Sequence, residues 1–396
     1  MHEVCHCRWE SPNLPFGRVA CRNLYSEPMI ETAAAGFLSV GQPAARRLAL
    51  RAGRGGRAAG TLLVHGPRGS GKAAFVDDLL ALSFCTDVDP ARRPCNACRG
   101  CRDARARVHP DLLIGSPDSW REARSTGESI VAVARRWLLD AAGAPIAGER
   151  RVILIEHADQ ANEQIQNALL KVLEEPTDRH IFILVADEAG RLLPTIRSRC
   201  QALRIGPVAH DELVRHLMDR RLLPADQAET LASLASGLSG LAVRYADRRD
   251  VLDWRRRVQA ELLALLERDR ADRFDAVSDL LDEAARLEAP PSAPDEAEGE
   301  TRVVPSAQRG AAILIAEVWL ALARDLLLAA AGRTSLAPSG ELAPEIGRLG
   351  ARIGAPPMAT MVRRLERIHD GLRENGSPRL ALEVAMLAWP RTTSEQ

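Results

Sequence analysis

"TLLVHGPRGSGKAA", residues 61–74, decides how the rest of this 396-residue chain is read. The strand-like "TLLVH" runs into Gly66-x-x-x-x-Gly71-Lys72, the spacing of a phosphate-binding loop that opens a helix. Such a loop turns backbone N–H groups toward an anion at a helix N-terminus. The following position should carry a Ser or Thr hydroxyl for Mg²⁺, and here it is Ala73. Three readings stay open: nucleotide turnover, binding without turnover, or a loop whose glycines only make the strand-to-helix turn compact. Lys72 and Lys171 are the chain's two lysines among 53 basic residues. Ammonium and guanidinium are not interchangeable at a phosphate, so a lysine at this position argues against a chance match.

Outward from the loop, residues 38 to 205 alternate strand-like and helix-like segments, the pattern of an α/β domain. "RVILIE" (151–156) and "HIFILVA" (180–186) are continuous apolar runs of the buried-strand type. Between them Ala161, Ile165, Ala168, Leu169, Val172 and Leu173 recur at helical spacing until Pro176. From about 206 onward the pattern is wholly helical, with a small unit first and longer helices after it. Residues 288–308 are Pro-rich and acidic and read as a flexible insertion. Residues 1–28 read as a disordered tail despite Cys5-His6-Cys7, and Met29 reads as an alternative start.

Composition narrows the function classes. Formal net charge is zero, so no global field draws the chain to nucleic acid or membrane. The longest apolar stretch (311–330) contains Glu317, Arg324 and Asp325, which favours a packing helix over a bilayer span. The N-terminus lacks the basic start and apolar core of a secretory signal, so a cytoplasmic location is expected.

Cys85, Cys95, Cys98 and Cys101 form a C-x9-C-x2-C-x2-C pattern. Four thiolates complete a tetrahedral zinc shell with no open position, so the expected site staples a loop and does no chemistry. An iron–sulfur cluster takes the same four ligands. Free thiols or a disulfide pair fit poorly with three cysteines in seven residues. Cys200 stands alone and reads as a packed thiol.

"GPRGSGK", the four-cysteine insertion after the loop helix, "HPDL" (109–112), "NALLKVLEEP" (167–176) and "LLPTIRSRC" (192–200) occur in that order. Together they resemble the clamp-loader subunits of bacterial DNA polymerase III, of the delta prime type with gamma/tau the near relative. The resemblance is specific over about 38–250 and loose beyond. It implies an AAA+ fold. Residues 1–37 would be an extension, 38–206 a RecA-like domain with a zinc-binding insertion at 85–101, and 207–248 a helical lid. Residues 249–396 would form a helical collar interrupted by 288–308. The implied partners are gamma/tau and delta in a hetero-pentameric ring, with the sliding clamp and primed DNA reached through the complex and no membrane. The whole is a DNA-directed DNA polymerase (nucleotidyltransferase) holoenzyme.

Three positions depart from an ATPase subunit of that family. Ala73 lacks the hydroxyl for Mg²⁺. At the strand end "VILIEHAD", Glu156 and His157 stand where Asp would bind metal and Glu would orient water. In "GLSGLA" (237–242), Gly240 stands where the resemblance implies an arginine that reaches the γ-phosphate, and Arg244 one turn on is a weak substitute. No intrinsic ATPase is expected, and Gly66, Gly71 and Lys72 form a degenerate loop with weak ATP binding or none. Arg199 resembles the arginine finger that a subunit presents to ATP held by its neighbour. The competing readings are an active gamma/tau-type ATPase and a zinc-stapled nucleic-acid binding module. Neutral charge and the lack of aromatic-rich basic stretches argue against the second.

Overall fold

The computed structural model describes residues 36–54, 60–174, 179–288, 305–334, 342–373 and 376–391. The expectations for residues 1–35, for Pro176 and for 289–304 lie outside these residues. The first half builds a parallel sheet. Helix α1 (Pro43–Arg54) leads to β1 (Thr61–His65), and α2 (Lys72–Phe84) follows the glycine loop. The cysteine segment closes with α3 (Arg99–Arg105), then β2 (Leu112–Gly115), α4 (Pro117–Glu122), α5 (Ile130–Ala141) and β3 (Arg151–Ile155). Helix α6 (Glu163–Glu174), β4 (His180–Ala186), α7 (Pro194–Arg199) and β5 (Cys200–Arg204) complete it.

The strand order is β2-β3-β4-β1-β5, every pair parallel. Successive strand residues face opposite sides. Val64, Val152, Leu154 and Ile183 therefore join Phe75 and Leu80 of α2 in one core. Leu63, Ile153, Ile155 and Leu184 join Leu138 of α5 and Ile165 and Leu169 of α6 in the other. Burial on both faces is why β1, β3 and β4 read as unbroken apolar runs. The sheet puts the glycine loop at the C-terminal end of its β1, where α/β sheets bind ligands.

Phe37 corrects one boundary. It was expected in an N-terminal extension ending at 37, yet it is buried in the core beside Phe75, ring centroids 6.0 Å apart. Its neighbour Gly36 is held through its carbonyl by Asn96 Nδ2 (2.8 Å) and Arg105 Nη2 (3.0 Å).

Beyond the sheet the described chain is helical. Helices α8 (His210–Arg221), α9 (Ala225–Ala235) and α10 (Ser239–Asp247) share a small core around Leu213, Leu217, Leu231 and Tyr245. Helices α11 (Arg249–Ala264), α12 (Arg270–Glu288), α13 (Pro305–Ala330), α14 (Ala343–Ile353), α15 (Ala355–Arg373) and α16 (Pro378–Ala388) form the last bundle. Trp254, Trp319 and Trp389 are buried at its centre, and Trp389 Nε1 donates to Leu262 O at 2.9 Å. Of the expected insertion 288–308, Glu288 ends α12 and 305–308 belong to α13. Among the described residues no helix is long and apolar enough to cross a membrane.

Candidate functional site

The glycine loop, the ends of β3 and β4, and the first turn of α10 surround a cleft of about 930 Å³. Arg309, Gly310 and Ile313 of α13 line it from the far side. Lys72, the first residue of α2, is buried here. Its Nζ donates to Gly66 O (2.7 Å) and Pro67 O (2.9 Å) and pairs with Asp187 Oδ1 at 2.7 Å. An ammonium has three donors, and all three are engaged inside the chain.

Asp187 follows the end of β4 and is itself positioned. Its N–H and that of Glu188 donate to Asp159 Oδ2 at 3.0 and 2.9 Å. Burial holds the Asp159 carboxyl above the usual carboxylate range, with these N–H groups pulling it back and the Asp187 charge raising it further. Sequence reasoning missed Asp187, because an aspartate after a strand carries no signature until the fold sets it against Lys72.

The strand-end acid is also engaged. Glu156 Oε1 takes a hydrogen bond from Arg107 Nη1 at 2.8 Å, and Arg107 Nε donates to Asp77 Oδ1 at 3.0 Å. Burial raises the Asp77 carboxyl against the pull of Arg107. Burial works against the Arg107 charge, yet its two carboxylate partners leave its pKa raised. His157 is exposed, in a left-handed backbone conformation (φ 51) beyond the strand.

The lid's Gly240 touches the loop directly. A Cβ there would lie 3.0 Å from Gly69 O and 3.1 Å from Gly71 N, so any side chain would press the lid and the loop apart by a few tenths of an ångström. Leu241 N–H donates to Gly69 O, and Ser239 Oγ donates to Ser70 O, each at 3.0 Å. These bonds seat the start of α10 on the loop. Arg244 lies outside the cleft lining. In this arrangement the loop lysine and one oxygen of the strand-end acid are engaged by the chain's own side chains, and the lid rests against the glycine loop beside the cleft.

The four cysteines fit a metal. Their Sγ atoms all lie within 4.8 Å of one another, against about 3.8 Å for the edge of a tetrahedron with 2.3 Å arms. Cys95 N–H donates to Cys85 Sγ, Cys98 N–H to Cys95 Sγ and Cys101 N–H to Cys98 Sγ, each at 3.4 Å. Without a cation, burial pushes the Cys85 and Cys101 thiols up. Burial also opposes ionisation of Cys98, but N–H groups of Thr86 and Cys101 bring that thiol down to about 6. A divalent cation removes the penalty of gathering four thiolates. Cys200 is half-buried, and burial pushes its thiol up to about 11, away from reactivity.

Arg199 ends α7 and lies outside this cleft. Thr61 pairs with Cys200 and His65 with Arg204, so Arg199 and the glycine loop flank opposite ends of β5. Five strand residues separate them by about 16 Å, beyond a side chain's reach. The exposed guanidinium donates to Thr195 O (3.1 Å) and to Glu174 Oε1 (2.9 Å) at the end of α6.

A 2-3-4-1-5 parallel sheet, a glycine loop after its β1 and a helical lid seated on that loop define an AAA+ domain. Residues 41–209 match the family described as DNA polymerase III, delta subunit. The chain is 34% identical over 195 residues to DNA polymerase III subunit delta' of Pseudomonas aeruginosa, covering 46% of this chain and 55% of that one. It is 28% identical over 177 residues to the delta' subunit of Bacillus subtilis, covering 45% and 51%. It is also 32% identical over 160 residues to DNA polymerase III subunit gamma/tau of Mycobacterium bovis, covering 38% and 25%. Through this region the chain is similar to delta prime subunits of DNA polymerase III. It spans about half the length of the delta prime relatives it matches.

Proposed function

We propose that this chain is the non-hydrolysing delta prime subunit of a bacterial clamp loader. In that role it sits in a hetero-pentameric ring with gamma/tau and delta, and through the ring it helps place a sliding clamp on primed DNA. One observation carries the reading. The cleft's lysine and strand-end acid are held in the chain's own ion pairs, Lys72 with Asp187 and Glu156 with Arg107, while Arg199 stands exposed at the other end of the sheet. A subunit inert in itself and active toward its neighbour has this layout.

Each part supports the same division of labour. To enter, a nucleotide's phosphates would have to displace Asp187 from Lys72 and then lie beside a second negative charge. Arg199 is held by an exposed ion pair worth about 0–1 kcal/mol, so transfer to a neighbour's phosphate costs little. Once there, a planar and permanently charged fork stabilises charge spreading onto the transferred group. In this reading the four cysteines hold one Zn²⁺ that braces the segment between α2 and α3. The bound ion supplies charge and geometry to the loop and takes no part in a reaction.

The similarity to gamma/tau favours a second reading, an active ATPase. Ala73, His157 and Gly240 oppose it, because each removes one contact with metal, water or phosphate. The test is turnover of Mg·ATP by the purified chain, with and without primed DNA. The account expects none. DNA-stimulated hydrolysis that Lys72→Ala abolishes would overturn it in favour of the ATPase.

A further inference from the structure

The cysteine segment and the strand-end acid Glu156 are joined by one side chain. Cys98 Sγ accepts the Cys101 N–H and caps the start of α3. Six residues after Cys101 the helix ends at Arg107 in the left-handed region, φ 58. Arg107 N–H donates to Ala104 O (3.0 Å) and Val108 N–H to Asp103 O (2.9 Å), the bond pair of a left-handed helix stop. Glycine is usual at such a stop, and another residue costs roughly 1 kcal/mol or more. Here that residue is an arginine whose guanidinium spans Asp77 and Glu156.

The same segment is anchored to α2 one turn away. Asn96, between two of the cysteines, accepts from Arg105 Nε at 2.8 Å. Arg105 Nη2 donates to the fully buried Asp78 at 2.8 Å. Asp78 also accepts the N–H groups of Leu38 (2.8 Å) and Ser39 (2.9 Å). The direction of α3, and so the reach of Arg107, is set by the cysteine cluster at one end and Asp78 at the other.

We propose that the four-cysteine module is the mount of a built-in cation, Arg107, which keeps divalent metal ions off Glu156. A carboxylate at this strand end is a hard-oxygen donor of the kind Mg²⁺ and Mn²⁺ select. With a guanidinium on Oε1 at 2.8 Å, one of the two donor oxygens is taken and a second cation is repelled. The cation cannot be titrated away, since arginine stays charged at every working pH. Freed of Arg107, Asp77 of α2 and Glu156 at the end of β3 would lose the guanidinium that spans them. The inference does not depend on the clamp-loader reading.

The test is Mn²⁺ uptake by the full chain, followed as loss of the free-ion paramagnetic resonance signal. Arg107→Gly suits the left-handed position and removes the charge, so the fold and the zinc content should be kept. This variant should bind Mn²⁺ at least about tenfold tighter than the wild type. Cys98→Ser, with Arg107 present but its mount loosened, should gain affinity in the same direction. Adding Glu156→Gln should remove the gain in both. Wild-type affinity in Arg107→Gly, or a gain that survives Glu156→Gln, would overturn the role of Arg107. A gain in Arg107→Gly without one in Cys98→Ser would overturn the role of the module.

Discussion

Asp325 lies inside α13, 7% exposed, in the helix that a span-seeking reading of 311–330 would have sent into a bilayer. Burial raises its carboxyl from 3.8 to about 6, against the pull of Arg255. A raised carboxyl costs the folded state when it ionises. The cost is absent below the unfolded value, grows as pH rises toward about 6, and is complete above it. Stability contributed at this residue therefore falls with rising pH, by an amount on the order of 3 kcal/mol as an upper figure. Asp325→Asn should raise the Tm at pH 8 by a few degrees and by less at pH 5, which calorimetry at the two pH values checks. A gain equal at both pH values, or a loss at pH 8, would contradict the assignment. The loop lysine teaches a different lesson at the same scale. Its identity was legible from spacing, but its three intrachain acceptors were not, because Asp187 meets it only through the pairing of β1 with β4.

The cysteine segment is the element on which spacing and structure agree most closely, since the four sulfurs do converge. Freshly purified chain should carry one zinc by elemental analysis. Cys98→Ser should lower that content and speed amide exchange in 85–107, leaving α11–α16 unaffected because their core is separate. Iron with sulfide, or no metal at all, would reject the zinc assignment. Elsewhere β1, β3 and β4 were readable as apolar runs, α2 from the glycine loop that opens it, and α6 because its burial follows a helical period. The short β2 and the largely exposed β5 carry no such run. What could not be read is what lies across space. Phe37 enters the core through an aromatic contact distant in sequence. Arg107 looks like any surface arginine until α3 aims it at Glu156. Gly240 was legible as a missing arginine, but not as the point where the lid touches the loop.

At the scale of the whole molecule, three layers meet at the glycine loop: the sheet that carries it, the lid seated on it, and α13 lining the cleft beside it. Two of the charged groups in that cleft, Lys72 and Glu156, are paired within the chain, so a nucleotide would have to compete with Asp187 and Arg107 there. The face carrying Arg199 is the reverse, with an exposed cation at the end of β5 away from its own loop. The central claim is that this chain's contribution to ATP chemistry leaves through Arg199 and not through Lys72. The direct measurement is clamp- and primed-DNA-dependent ATPase of assembled loaders carrying either Arg199→Ala or Lys72→Ala in this subunit. With ring assembly intact in both, Arg199→Ala should slow the neighbouring site it completes by about 10²–10³-fold. Lys72→Ala should leave turnover near wild type. Near wild-type turnover for both assemblies, or a greater loss with Lys72→Ala, would contradict the account.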